Sequence, residues 1–149
     1  MTDELFTIRD ATDEDLPVID AYAYAEGMDD MPNAEGIRVA VEASGAIVGF
    51  CRMFRADDGN DYVRPMVTYP TWRGYGVGRA LIEDALARSN GQLLLISRGW
   101  SKAFYTACSF EDATWEDLDE EVREDCTYCE MREECNPQPM RRVRSEALQ

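Results

Sequence analysis

Histidine is absent from the 149 residues, and lysine occurs once, at Lys102. Without an imidazole there is no histidine base, no Cys–His nucleophile pair and no histidine metal ligand. No run of about 18 or more apolar residues occurs, which excludes a membrane-spanning helix. The acidic start Met1-Thr2-Asp3-Glu4 lacks the apolar core of a secretory signal. The expectation is a cytoplasmic protein with no membrane partner. Basic charge is also scarce: 30 acidic residues face 15 basic ones, for a net charge of −15, and the basic residues other than Lys102 are all Arg. Such a surface repels nucleic-acid phosphates and anionic lipids, so neither is an expected partner. An excess of carboxylates with almost no lysine fits the proteome of a salt-loving microbe, where screening makes the charge tolerable.

What is present is a globular composition, with 45% apolar residues and a length suited to one domain over 1–149. Leu5 to Arg9 reads as a strand. Thr12 with Asp15 three places on reads as a capping box opening a helix to about Glu26, with Leu16, Ile19 and Ala23 as its apolar stripe. Residues 27–36 read as a loop. Ile37–Ala43 and Ala46–Arg55 form a hairpin around Ser44-Gly45, and Tyr62–Tyr69 is a further strand containing Pro65. Val77 to Ser89 has a helical pattern with Val77, Leu81, Ala85 and Leu86 on one face, stopped by Asn90-Gly91. Leu93–Ser97 is a continuous apolar strand suited to a central position. Ser101–Ser109 is a short helix, Ala113–Trp115 a further strand and Pro139–Val143 a last one. The pattern is mixed α+β, with hairpins before a strand–helix–strand unit.

Between the Tyr62–Tyr69 strand and its helix stands Arg73-Gly74-Tyr75-Gly76-Val77-Gly78-Arg79. Glycines that open a helix let anion oxygens approach backbone N–H groups, and the helix dipole favours negative charge there. The nucleotide-hydrolase loop needs a terminal Gly-Lys-Ser/Thr, and the dinucleotide fingerprint needs G-x-G-x-x-G; neither spacing is met. The spacing R/Q-x-x-G-x-G/A is met. With Pro70-Thr71-Trp72 before it and Phe104-Tyr105 and Phe110 after it, the chain resembles the GNAT superfamily of N-acetyltransferases over about residues 5–115. The resemblance implies an α+β, three-layer fold: a mixed, mostly antiparallel sheet of about six or seven strands flanked by helices. It implies acetyl-CoA as co-substrate, its pyrophosphate held by the loop from Arg73 to Arg79 and its pantetheine arm paired with Val67, Thr68 and Tyr69.

The family pattern also places a tyrosine before a Gly-Phe pair, matched here by Tyr105 and Ser109-Phe110 with Ser for Gly. The resemblance implies that Tyr105 protonates the departing thiolate, for which a phenol of pKa about 10 is suited; packing against Phe104 is the other reading. The glutamate that many relatives carry on the strand before the loop is missing. Asp61 is the nearest candidate base, with Asp57, Asp58, Glu26 or water as others. Arg64 and Arg52 are candidate clamps for a substrate carboxylate, with a surface ion pair as the other reading of Arg64.

Residues of about 116–138 form an acidic segment with Cys126, Cys129 and Cys135. A C-x2-C pair with a third Cys begins a zinc site, which Cys108 or a carboxylate would complete; reduced or redox-active thiols and a disulfide are the other two readings. Cys51, within a strand, reads as core. The Asp125–Cys129, Cys135, Met140 tail is similar to short N-acetyltransferases of the N-acetylglutamate-synthase type, which implies an amino-acid acceptor. The expected partners are thus acetyl-CoA and a small amine or amino acid, with a homodimer as a compatible assembly. The expected activity is acetyl transfer to a primary amine, and the alternative is a non-catalytic acyl-CoA sensor.

Overall fold

A computed structural model describes residues 5–144 of the chain. Seven strands form one sheet in the order β1-β2-β3-β4-β5-β7-β6. They are β1 (Phe6–Asp10), β2 (Ile37–Glu42), β3 (Ile47–Arg55), β4 (Asp61–Thr68), β5 (Gln92–Ser97), β6 (Glu111–Asp112) and β7 (Gln138–Val143). Pairing is antiparallel for β1–β2, β2–β3, β5–β7 and β6–β7. β4 and β5 are parallel, with Asp61 opposite Leu93 and Tyr62 opposite Leu94. A parallel neighbour requires a crossover, which α2 (Val77–Arg88) supplies. No helix among the described residues is long and apolar enough to cross a membrane.

The chain divides into two compact units, Met1–Met53 with Arg64–Ala85, and Phe54–Val63 with Leu86–Gln149. The first is built on α1 (Leu16–Ala25). The Asp15 carboxylate accepts the Thr12 N–H at 2.8 Å and both Arg9 guanidinium nitrogens at 2.8 and 3.0 Å, which organises the turn before the helix. Ile19 and Ala23 of α1 then pack on Ile37, Val39 and Val41 of β2, Ile47 and Phe50 of β3, and Val67. Full burial of each such aliphatic or aromatic side chain is worth about 1.5–3 kcal/mol, so this cluster fixes α1 on its strands. Arg38 of β2 ties down α2 through both oxygens of Asp84, at 3.1 and 3.3 Å.

The second unit centres on Tyr62, Leu94, Leu118 and Val122. The Tyr62 hydroxyl donates to Asp58 at 2.7 Å and accepts the Asp119 N–H at 2.8 Å. Burial, above all, raises its pKa well beyond that of a free phenol. Asp119 caps α4 (Glu120–Thr127), its carboxylate taking the Glu121 N–H at 3.1 Å. The strand expected at 113–115 is displaced: β6 covers Glu111–Asp112, and Trp115–Asp117 forms a 3-10 turn. The cause is a Thr-x-x-Asp cap in which Asp117 accepts the Thr114 N–H at 2.9 Å and its hydroxyl at 3.0 Å.

Candidate active site

In the first unit, the glycine loop leaves the Pro70–Trp72 turn and runs into α2. Gly74 has φ +91° and Gly76 φ +84°. A Cβ at either position would meet nothing within 4 Å, so the glycines are there for their left-handed backbone and not for space. The Gly76 carbonyl accepts the Ala80 N–H at 3.0 Å and so begins the helical ladder. In a helix the N–H groups of the first turn have no intrahelical partner, and here Val77, Gly78 and Arg79 occupy that turn. Val77 is buried and anchors it, while Tyr75 is exposed and lies 5.4 Å from the Trp72 ring. The arrangement is an N-terminal anion cradle on a helix of three turns.

Gly49 supports this cradle from β3, and sequence reasoning missed it. A Cβ there would lie 2.9 Å from Cγ1 of Val77 and 3.0 Å from the Val67 carbonyl oxygen. A lone glycine inside an apolar strand is the signal of such close approach. Of the three residues expected to line the pantetheine arm, Val67 is buried in the α1 cluster and Thr68 is half-buried. Tyr69 has its N–H on the Val48 carbonyl at 2.8 Å and its carbonyl on the Trp72 N–H at 2.8 Å, so its backbone is already engaged. The Arg73 guanidinium donates to Glu26 at 2.6 Å. Glu26, considered above as a base, is the carboxylate beside the first residue of the loop. Arg52 and Arg64 lie together, with Arg52 Nη1 donating to the Arg64 carbonyl at 3.2 Å. Burial and then the Arg64 charge pull the Arg52 pKa below its usual value.

In the second unit, Tyr105 sits on α3 (Lys102–Ala107), half-buried, with its ring edge-on to Phe104 at 5.1 Å and Phe110 at 5.6 Å. The Phe110 N–H donates to the Tyr105 carbonyl at 3.0 Å and closes the chain reversal. Ser109 makes that reversal with φ +71°, the conformation for which the family pattern supplies Gly.

Asp61 is a structural carboxylate. It is 2% exposed and accepts from Arg55 Nε at 3.0 Å, Arg55 Nη2 at 3.1 Å and the Asn90 N–H at 2.8 Å. Both oxygens are held by these donors, which ties the carboxylate to the β3–β4 turn and the end of α2. Asp58 is likewise occupied by Tyr62 and Asn60 in the β3–β4 turn, and Asp57 is exposed beside it.

The zinc reading of the cysteines finds no support. Among the described residues, no three His, Cys, Asp or Glu side chains gather as a metal site, and none of the five cysteines is in a disulfide. Cys126 lies in the last turn of α4, Cys129 in the turn that follows, and Cys135 ends α5 (Arg132–Cys135). Spread over a helix end, a turn and a second helix, the three thiols do not converge. Cys108 is buried beneath α3, and Cys51 is buried in β3. Burial pushes the Cys135 thiol up, Arg98 opposes it, and the nearby Cys129 adds to the rise.

The sequence model of the acetyltransferase (GNAT) domain matches residues 33–112. Among solved structures, N-acetylglutamate synthase from Neisseria gonorrhoeae, complexed with coenzyme A and N-acetyl-glutamate, is similar with a TM-score of 0.82 at 14% identity. The match covers 97% of this chain and 36% of the synthase, so this chain spans about a third of that protein's length. A Mycobacterium tuberculosis protein in complex with CoA is similar with a TM-score of 0.75 at 14% identity, over 92% of this chain and 98% of that one. Phosphinothricin acetyltransferase from Sinorhizobium meliloti, in complex with AcCoA, has a TM-score of 0.65 at 17% identity, over 96% and 90% of the two chains. At these identities the likeness is one of fold, and the mixed seven-stranded sheet with flanking helices is the fold expected from the sequence. No curated protein matches the chain.

Proposed function

The chain belongs to the GNAT acetyltransferase family, and from that premise we propose that it moves an acetyl group from acetyl-CoA to the primary amine of a small molecule, an amino acid being the favoured class. The observation that carries the reading is the loop in which Gly74 and Gly76 adopt positive φ immediately before α2. The loop amides and the helix dipole hold the pyrophosphate, and backbone groups of Val67 and Thr68 pair with the pantetheine arm, the Tyr69 N–H and carbonyl being engaged within the protein. The structural neighbours solved with coenzyme A support the co-substrate, and the synthase with N-acetyl-glutamate supports an amino-acid acceptor. Arg52 and Arg64 supply positive charge for a substrate carboxylate. The family match runs through both compact units, which supports one acetyltransferase domain with an acidic, cysteine-bearing segment near its end.

The chain contains no histidine to pair with a cysteine nucleophile, so transfer proceeds by direct attack in a ternary complex. The amine nitrogen bonds to the thioester carbonyl carbon, the carbon–sulfur bond breaks, Tyr105 gives its phenolic proton to the thiolate, and the amine proton leaves to water. Orientation and amide electrostatics carry most of the acceleration.

The test is thiol release from acetyl-CoA across amino acids, polyamines and peptide N-termini. Turnover is expected with at least one amino acid, and Tyr105→Phe should lower kcat about 10²-fold or more while leaving acetyl-CoA binding intact. Tight acetyl-CoA binding with no turnover on any amine would make the protein a sensor instead. A Tyr105→Phe variant of wild-type kcat would remove Tyr105 from the mechanism.

A further inference from the structure

The proposed transfer mechanism assigns no role to Cys126-Thr127-Tyr128-Cys129. Cys126 lies in the last turn of α4, and the Cys129 N–H donates to the Cys126 carbonyl at 3.3 Å, so the two cysteines close one turn. A turn closed from residue i to i+3 keeps its end Cα atoms within about 7 Å, and a disulfide spans Cα atoms about 4.4–6.8 Å apart. On a regular helical turn, Cβ atoms three residues apart lie about 5–6 Å apart, and Cys129 follows the last residue of α4 by two. Bonding needs about 4 Å, a closure of one to two ångströms. The end of α4 can absorb it, because the helix is anchored by Val122, upstream of the pair. Cys129 is exposed and is followed by exposed residues, while Cys126 is half-buried behind it. Cys135 ends α5, its own N–H tied to the Met131 carbonyl at 2.8 Å, and its thiol feels the charge of Cys129 as well as of Arg98, which makes it the competing partner.

We propose that Cys126 and Cys129 are a reversible dithiol–disulfide site that reacts with low-molecular-weight disulfides. The Cys129 thiolate attacks one sulfur of the small disulfide, forms a mixed disulfide and expels the other half as a thiolate, which takes up a proton. The Cys126 sulfur, losing its own proton, then attacks the Cys129 sulfur, forms the protein disulfide and expels the second small thiol. The protein loses two hydrogens and the oxidant becomes two thiols. Exposure assigns the order: a soluble disulfide reaches Cys129, and Cys126 lies where it can resolve the adduct.

The test equilibrates the full chain, purified anaerobically, in glutathione buffers of increasing oxidised fraction, followed by alkylation and peptide mapping. Wild-type protein should lose two hydrogens, with Cys126 and Cys129 both protected from alkylation and both recovered by excess dithiothreitol. Cys126→Ser should stop at a glutathione adduct on Cys129, and Cys135→Ser should leave the bridge intact. A bridge from either thiol to Cys135, a disulfide-linked dimer, or a glutathione adduct persisting on wild-type Cys129 overturns the proposal. So does full alkylation of both thiols in the most oxidised buffer.

Discussion

Replacing Asp61 by Asn separates a structural carboxylate from a catalytic base. The two oxygens of Asp61 hold the Arg55 guanidinium and the Asn90 N–H from a site that is 2% exposed. An Asn amide keeps one acceptor and turns an NH2 donor toward whichever partner it no longer serves. Arg55 is more than half exposed and screened by solvent, so loss of that pair alone adds little. Exchanging a charged for a neutral acceptor at Asn90 costs about 1 kcal/mol, and a donor left facing a donor in a buried site costs about 1–3 kcal/mol. Together Asp61→Asn should destabilise the fold by about 2–4 kcal/mol. For a chain of this length that lowers Tm by roughly 5–15 °C. Thermal unfolding followed by circular dichroism reads the first quantity, and acetyl transfer measured well below Tm reads the second. The expected result is a large fall in Tm with kcat largely kept. A wild-type Tm with kcat reduced about 10²-fold, the range lost with a general base, would refute the assignment and restore Asp61 as the base.

Gly49→Ala places a methyl group 2.9 Å from Val77 and 3.0 Å from the Val67 carbonyl; overpacking should cost about 1–3 kcal/mol in denaturant unfolding and weaken acetyl-CoA binding by calorimetry, since Val77 begins α2. Ser109→Gly should stabilise by about 0.5–1 kcal/mol, the left-handed penalty of about 1–2 kcal/mol exceeding the added freedom of the unfolded glycine, about 0.5–1 kcal/mol; a lower urea midpoint would contradict it. The Arg9 hydrogen bonds hold the Asp15 carboxyl at about 2, below its ordinary 3.8. A depressed folded-state value means the pair stabilises fully above about pH 4 and loses that stability as the pH falls through about 2. Unfolding midpoints should therefore decline more steeply over this window in wild type than in Asp15→Asn, and equal slopes would rule the pair out. With a net charge of −15, acetyl-CoA is repelled at long range, and the Debye length shrinks from about 10 Å at 0.1 M salt to about 3 Å at 1 M. Its dissociation constant should fall as KCl rises over that span, whereas weakening with salt would point to side-chain cations, and not loop amides, as the main phosphate contacts.

The elements around the glycine loop were legible because each rests on a local rule. Gly74 and Gly76 stand where a positive φ is required, α2 carries its apolar face at helical spacing, and Thr12 with Asp15 announces α1. The same Thr-x-x-Asp signature stands at Thr114 and Asp117. There the run from Ala113 to Trp115 reads as a strand, and the chain makes a capped turn instead. Local chemistry at a cap overrides side-chain propensity because it satisfies backbone N–H groups that a lone short strand would leave to water.

The site divides differently. Backbone chemistry is written in glycine positions, so the anion cradle could be read, whereas the role of a carboxylate depends on what the fold brings to it. Asp61 follows an Asp-Asp-Gly-Asn turn and reads as a candidate base at a strand start. Its burial comes from Arg55 and Asn90, six residues before it and 29 after it. Cys126, Cys129 and Cys135 fail in the opposite sense. Their spacing satisfies a metal pattern, but the chain puts them at the end of α4, in the turn after it and at the end of α5, and no three metal-ligating side chains gather among the described residues. What survives of that pattern is its shortest part, the pair closed by one turn. A turn, unlike a ligand sphere, is decided by the chain itself.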